Sequence, residues 1–410
     1  MKKQRKHYTP EEKVAIVKRH LLEPVRISEV CDSAMKRPAG ALMILCKAQC
    51  GELVDRTPSM QSNAAGHAAS QVLKQRCKAI AQRVTSLHFE AHPLIALRWK
   101  GDRQEFTEDN RRHLAHLGEA LFWGRPALFT EYAAWAASQL AGLNIPGEAL
   151  AFNLELLRSA LALELEGAGG SLASEYLDAA RAKIEGATPE LSSYIEGSEP
   201  LDVLARDYLA ALLRGERHTA NRLILGAAES GTSIKDIYLL VFQRAQYELG
   251  RLWHSNRIGV GQEHYCTSCT LLIMSQLFPR ILSAERNGRR AVVTCVSGEL
   301  HQLGARMLAD FLEMAGWDTF FLGADTPISG TLQQVAERAP HVLAISASMP
   351  FHVQAVADLI AATRAAGNPP HILVGGAPFS SLPGLWKDVG ADGCARDAAE
   401  AIAVVAACSA

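Results

Sequence analysis

The last third of the chain alternates short β-rich apolar runs with stretches of helical spacing. AVVTCVS (291–297), DTFFL (318–322), VLAISAS (342–348), HILVG (371–375) and ADGCA (391–395) are each followed by a helical pattern. That alternation predicts a doubly wound parallel sheet of the flavodoxin-like (Rossmann-like) α/β type over 287–410. A ligand of such a sheet lies beyond the carboxyl ends of the strands. Upstream the period changes to 3.6. LAHLGEALFWGR, LFTEYAAWAASQLAGL and GEALAFNLELLRSALALELE place apolar residues three and four apart, broken at Gly142–Pro146 and Gly167–Gly170. They predict an all-α domain over 79–190 whose role the sequence leaves open. A polar, Pro-containing joint between Gly186 and Pro200 ends it. Four further helical segments within 197–286 (LDVLARDYLAALLRG, RHTANRLILGAAESG, SIKDIYLLVFQRAQYELGRLW and GQEHYCTSCTLLIMSQLFPRIL) have tight loops, as in an antiparallel bundle.

The amino-terminal stretch has a different composition. In the first twenty positions Lys2, Lys3, Arg5, Lys6, Lys13, Lys18 and Arg19 oppose only Glu11 and Glu12, and Thr9-Pro10-Glu11-Glu12 is a helix start. The string HYTPEEKVAIVKRHLLEPVRISEVCD resembles the first half of the helix-turn-helix of insertion-sequence transposases. Pro38 and Gly40 stand where a base-reading helix would follow, so residues 1–32 are a partial motif and 33–78 are expected to be linker.

A chain of 410 residues with 48% apolar and 21% charged residues is a folded protein of several domains, and its net charge of −1 suggests no nucleic-acid or membrane partner. Nine scattered cysteines form no disulfide framework and point to a reducing, cytoplasmic setting. Cys266-x-x-Cys269 lacks a second pair and is expected to be core rather than a zinc site. Residues 41–46 (ALMILC) are far too short to cross a membrane. Phe122, Trp123, Phe129, Tyr132 and Trp135 are expected to form a buried stripe. His113 and His116, three apart with no third ligand nearby, read as surface histidines.

The chemistry is concentrated after the first strand. Gly298-Glu299-Leu300-His301-Gln302-Leu303-Gly304 places His301 on the loop at the carboxyl edge of the sheet. A carboxylate two residues earlier can bind one imidazole nitrogen, fixing the tautomer and making the other nitrogen a better metal ligand. Gly304 allows close approach to the helix start. The loop lacks Gly-x-Gly-x-x-Gly, which excludes a dinucleotide site. Forty-two residues after Gly304 the third strand ends in Ser346-Ala347-Ser348, and twenty-seven after Ser348 the fourth ends in Gly375-Gly376.

Together these three elements resemble the base-off, His-on cobalamin-binding domain. The resemblance implies His301 as the lower cobalt ligand, Ser346 and Ser348 lining a slot for the cofactor's nucleotide tail, and Gly375 and Gly376 leaving room for its ring. Glu299 replaces the family's usual Asp, and Ser348 its usual Thr. Residues 322–327 fall where the family touches the corrin edge. In the preceding bundle, Trp253-His254 is followed by Glu263-His264, with nine residues between Trp253 and Glu263. That spacing resembles the cap of adenosylcobalamin photoreceptors of the CarH kind. It implies Trp253 packing on the adenosyl group, Glu263 hydrogen-bonding it, His254 as upper cobalt ligand after illumination, and His264 supporting the pocket. A Glu aimed at a methyl group would be unpaired and costly, which favours adenosylcobalamin over methylcobalamin. The expected protein is a light sensor rather than an enzyme, controlling transcription with DNA or a transcription factor as partner; a homo-oligomer is among the assemblies this allows. The alternative is a corrinoid carrier serving a methyltransferase.

Overall fold

The helical pattern begins earlier than its apolar residues announce. In the computed structural model, which describes residues 63–91, 103–142, 145–185, 193–282 and 284–407, helix α1 runs Ala64–Ala91. Residues 64–78, expected to be linker, are therefore helix. Ala69 and Leu73 continue the row of Ile80, Ala81 and Val84 into one buried face. Asn63 anchors the start by donating from Nδ2 to the carbonyls of Leu121 and Phe122 at 2.7 and 2.9 Å. A Cβ at Gly66 would lie 2.2 Å from the Leu121 carbonyl oxygen, so the backbones meet there as only glycine permits. The transposase-like motif of 1–32 lies outside the described residues.

Helices α2 (Arg103–Trp123), α3 (Pro126–Gly142), α4 (Gly147–Leu161) and α5 (Gly167–Glu185) complete the first bundle. Phe129 and Tyr132 are buried in it, while Phe122, Trp123 and Trp135 are half-buried. His113 and His116 are buried too, which corrects their reading as surface histidines. Their shared face of α2 meets α3, where His113 Nδ1 lies 2.8 Å from the Tyr132 hydroxyl and His116 stacks on the Tyr132 ring at 3.5 Å. Burial pushes their pKa values down, to about 4 and about 3, so both are neutral at pH 7.

Glu119, also on α2 and buried, shows the opposite shift. Burial pushes its pKa up to about 7 despite Lys74 at 3.8 Å and a hydrogen bond from the Trp123 indole. A carboxyl that titrates higher in the fold than unfolded loses stability as pH rises from its ordinary 4.5 through 7. Glu119→Gln is therefore expected to stabilise the chain at pH 8, by about 2 kcal/mol. The gain should be much smaller at pH 5. Thermal melts at the two pH values measure it, and an equal effect at both would contradict the assignment.

The second bundle consists of α6 (Pro200–Leu213), α7 (Arg217–Glu229), α8 (Ile234–Asp236), which continues through a π-helical segment (Ile237–Gln243) into α9 (Arg244–His254), and α10 (Val260–Ile281). A capping box of Glu199 and Asp202 starts α6. Tyr208, Tyr238, Phe242, Leu249 and Met274 form the core. Cys266 and Cys269 belong to it, and burial raises the Cys266 thiol to about 11. Among the described residues no cluster of three His, Cys, Asp or Glu could hold a metal ion.

The remaining chain forms β1 (Arg290–Cys295), α11 (Leu303–Met314), β2 (Asp318–Phe321), α12 (Ile328–Arg338), β3 (Val342–Ser346), a 3-10 turn (Pro350–His352), α13 (Val353–Ala365), β4 (His371–Gly375), α14 (Ala377–Ser381), α15 (Leu385–Asp388), β5 (Gly393–Ala395) and α16 (Ala398–Ala407). All strand pairs are parallel, in the order β2-β1-β3-β4-β5. The fold is thus a flavodoxin-like α/β sheet preceded by helical bundles, as the sequence pattern predicts. After β1 the chain crosses to one side for β2 and to the other for β3, so the crevice opens between β1 and β3. The register Cys295↔Ser346↔Gly375 sets the three strand ends level there.

Each bundle packs on the sheet domain. The second shares its core with Met307, Phe311 and Ala398, and Tyr238 donates to Asp310 of α11 at 2.7 Å. The first packs Leu117 and Leu121 into the cluster of Val353, Val356, Phe379 and Leu385, and Arg125 pairs with Asp388 at 2.6 Å. Among the described residues no helix is long and apolar enough to cross a membrane.

Candidate cofactor site

At the open ends of β1 and β3 the two connecting loops are joined through one side chain. Glu299 is fully buried, 0% exposed, and both its oxygens are committed. Oε1 accepts from the backbone N–H of His301 at 2.8 Å and lies 2.6 Å from His301 Nδ1. Oε2 accepts from the backbone N–H of Ser348 at 2.6 Å and lies 3.1 Å from His352 Nδ1. Burial by itself would raise the pKa of this carboxyl, but hydrogen bonds from the His301 and His352 rings and from the two backbone groups outweigh it. They hold the group well below the usual carboxylate range. Glu299 is therefore ionised at any physiological pH.

The loop around it is equally tied down. Asp325, in a left-handed conformation at φ 48°, accepts the backbone N–H of Gly298 at 2.7 Å, and its own N–H donates to the Glu299 carbonyl at 2.9 Å. Residues 322–327 thus brace the β1 loop from the β2 side.

His301 projects from this rigid base with 64% of its side chain exposed. The hydrogen bond to Glu299 raises its pKa; burial opposes this, and the charges of Glu299 and Glu263 add to it. With Nδ1 donating to a carboxylate, the neutral ring presents its Nε2 lone pair outward, the tautomer and basicity a metal ligand requires. Space is open above Gly304, where an added Cβ would meet no atom within 4 Å. Ser346 and Ser348 are half-buried at the end of β3, and among the described residues their hydroxyls make no hydrogen bond. A single imidazole aimed outward, with free hydroxyls beside it, suits a cofactor that brings its own metal. It does not suit a bare ion.

Gly376 has a structural reason of its own. Its φ is 111°, and a Cβ would lie 2.0 Å from the Ala347 carbonyl oxygen, so glycine is required before any ligand is considered. Gly375 is less constrained, with a Cβ position 3.3 Å from the Ala395 oxygen.

The residues expected on the upper side are placed as follows. Glu263, at the start of α10, is held by Thr267 at 2.7 Å and by His264 Nδ1 at 2.6 Å; His264 itself is exposed. Trp253 is half-buried against the bundle core. His254 closes α9, and its Nε2 accepts a hydrogen bond from the Trp135 indole at 2.8 Å. Neither that bond nor the His352–Glu299 contact is foreseen by the sequence, because the partners are 119 and 53 residues apart.

The parallel sheet carries a carboxylate-backed histidine at its switch point, an arrangement that fits a cobalamin-binding protein. The comparisons agree. Residues 289–406 match a family model described as B12 binding domain, and residues 204–277 match a second model of the same description. Similar proteins include dimethylamine corrinoid protein 3 of Methanosarcina acetivorans, 32% identical over 111 residues that make up 26% of this chain and 51% of that protein. The HTH-type transcriptional repressor CarA of Myxococcus xanthus is 32% identical over 90 residues, 22% of this chain and 31% of the repressor. The chain spans about half the length of the corrinoid relatives it matches. A solved structure of the Methanosarcina barkeri monomethylamine corrinoid protein aligns at TM-score 0.46 and 20% identity, covering 50% of this chain and 97% of that one.

Proposed function

We propose that the protein is a sensor that binds adenosylcobalamin base-off, with His301 as lower cobalt ligand, and couples light to transcription. The observation that carries this reading is the outward-facing His301 fixed by Glu299 at 2.6 Å, taken together with Trp253, His254 and Glu263 on α9 and α10. We assign the Glu263 carboxylate, at the start of α10, to the upper side of the crevice. Thr267 and His264 steady that carboxylate, and its remaining lone pairs suit the hydroxyls of a nucleoside. Trp253, half-buried against the bundle core, offers an apolar ring, and His254 a second imidazole. When bound, adenosylcobalamin supplies a light-labile cobalt–carbon bond. The chain's own part is to fix His301 through Glu299, to accept the tail beside Ser346, Ser348, Gly375 and Gly376, and to hold the adenosyl group with Trp253 and Glu263. Similarity to CarA supports an output in transcription, with DNA or a transcription factor as partner.

Similarity to dimethylamine corrinoid proteins favours a second reading, a methyl carrier working with a methyltransferase. Dark titrations with adenosyl- and methylcobalamin separate the two. Glu263→Ala should weaken adenosylcobalamin binding about tenfold, the value of a charge-assisted hydrogen bond, and leave methylcobalamin binding unchanged. Equal losses for both, or tighter wild-type binding of the methyl form, would favour the carrier.

A further inference from the structure

We propose that Trp135 is a positioning residue for His254: it holds the nitrogen that would seek cobalt, so the α1–α5 bundle grips the second bundle until the cofactor takes that histidine. This rests on the sensor reading only for what triggers the exchange. An indole N–H is a donor and nothing else, so the 2.8 Å contact commits the Nε2 lone pair of His254 and puts the ring proton on Nδ1. Metal ligation through Nε2 uses the same lone pair. The two bonds exclude one another, and making the second releases the first.

The grip has a second point on the same face of α3, seven residues on. A Cβ at Gly142 would stand 2.8 Å from the Ser255 carbonyl carbon, and Asn256 Nδ2 donates to the Gly142 carbonyl at 3.4 Å. Helix α3 is thus seated against the turn that ends α9, the turn that carries His254. From Trp135 a row of rings continues inward. Tyr132 lies 5.7 Å from Trp135 and stacks on His116, whose ring meets Phe351 edge-on at 5.2 Å. Phe351 packs on His352 at 4.3 Å, and His352 contacts Glu299, the carboxylate behind His301. The first bundle therefore reaches His254 directly and His301 through His352 and Glu299. That gives the α1–α5 bundle, whose purpose the sequence leaves open, the role of reading the state of the cofactor.

The test uses the full chain and hydroxocobalamin, which needs no light. Trp135→Phe keeps a ring beside Tyr132 and removes only the indole donor. It should favour His254 ligation about fivefold, the weight of one net hydrogen bond, read from the visible spectrum against His254→Ala. Gly142→Ala, which presses on the Ser255 backbone without touching either ring, should shift ligation in the same direction. Hydrogen exchange gives a readout independent of the spectrum. Adding hydroxocobalamin should speed exchange in α3 (Pro126–Gly142) of the wild type, but leave α3 of His254→Ala unchanged. Ligation and α3 exchange indistinguishable between wild type and Trp135→Phe would overturn the proposal, as would a wild-type spectrum identical to that of His254→Ala. Absence of a light response with adenosylcobalamin would refute the sensor reading while these measurements still decide the role of Trp135.

Discussion

A chain carrying His301→Ala is expected to lose at least about a hundredfold in cobalamin affinity while its thermal stability falls by only about 1.5 kcal/mol, the weight of one charge-assisted hydrogen bond to Glu299. The separation follows from where the residue's interactions lie. Its side chain is 64% exposed and contacts the fold mainly through Glu299, so little packing is lost. What is lost is the lone pair presented to cobalt and one hydrogen bond to Glu299. Any cofactor retained should show the spectrum of a lower face without imidazole. Equilibrium titration with adenosylcobalamin in the dark, next to a melt of the unloaded chain, measures both halves. Unchanged affinity and spectrum would refute the ligand assignment; a large drop in stability would mean that His301 belongs to the scaffold.

Glu299→Ala should do both kinds of damage. Removing a buried carboxylate that accepts two backbone N–H groups and meets two imidazoles strands all four. The expected destabilisation is about 3 kcal/mol. Cofactor affinity should fall about ten- to a hundredfold, the usual effect of losing the group behind a metal-binding histidine. The pH dependence has a definite sign. Because the folded state holds this carboxyl below its ordinary 4.5, its contribution is complete above that value and is lost as pH falls through the folded pKa. The stability gap between wild type and Glu299→Ala should therefore be widest near pH 7 and narrow in acid. Denaturant unfolding at several pH values checks this, and a gap that widens in acid would contradict it.

The residues legible in the sequence are those whose surroundings are local. Glu299 and His301 are two apart, on a loop announced by a β-branched strand before it and a helix after it. The level ends of β1, β3 and β4 follow from strand order once the α/β alternation is read. Features that depend on distant contacts were not legible. Helix α1 begins fifteen residues before the expected start at Ala79 because its first turns are built of Ala, Gly, Ser and Gln, a composition shared with linkers. Only the seat of Ala69 and Leu73 against α2 distinguishes it. His113 and His116 were misread because a polar residue on a helix defaults to water unless a partner is known, and Tyr132 lies on the next helix. His352 carries no local mark, although its ring reaches the same carboxylate as His301. Gly376 was read as room for a ligand, whereas its φ of 111° and the nearness of the Ala347 carbonyl already require glycine.

The central claim is that His301 holds cobalamin from below while His254 answers to light from above. The most direct test is the visible absorption spectrum of adenosylcobalamin-loaded protein, in the dark and after green light, for wild type and His254→Ala. The account predicts a base-off dark spectrum shared by the two proteins, and lit spectra that differ because only the wild type offers a second imidazole. A base-on dark spectrum, or identical lit spectra, would contradict it.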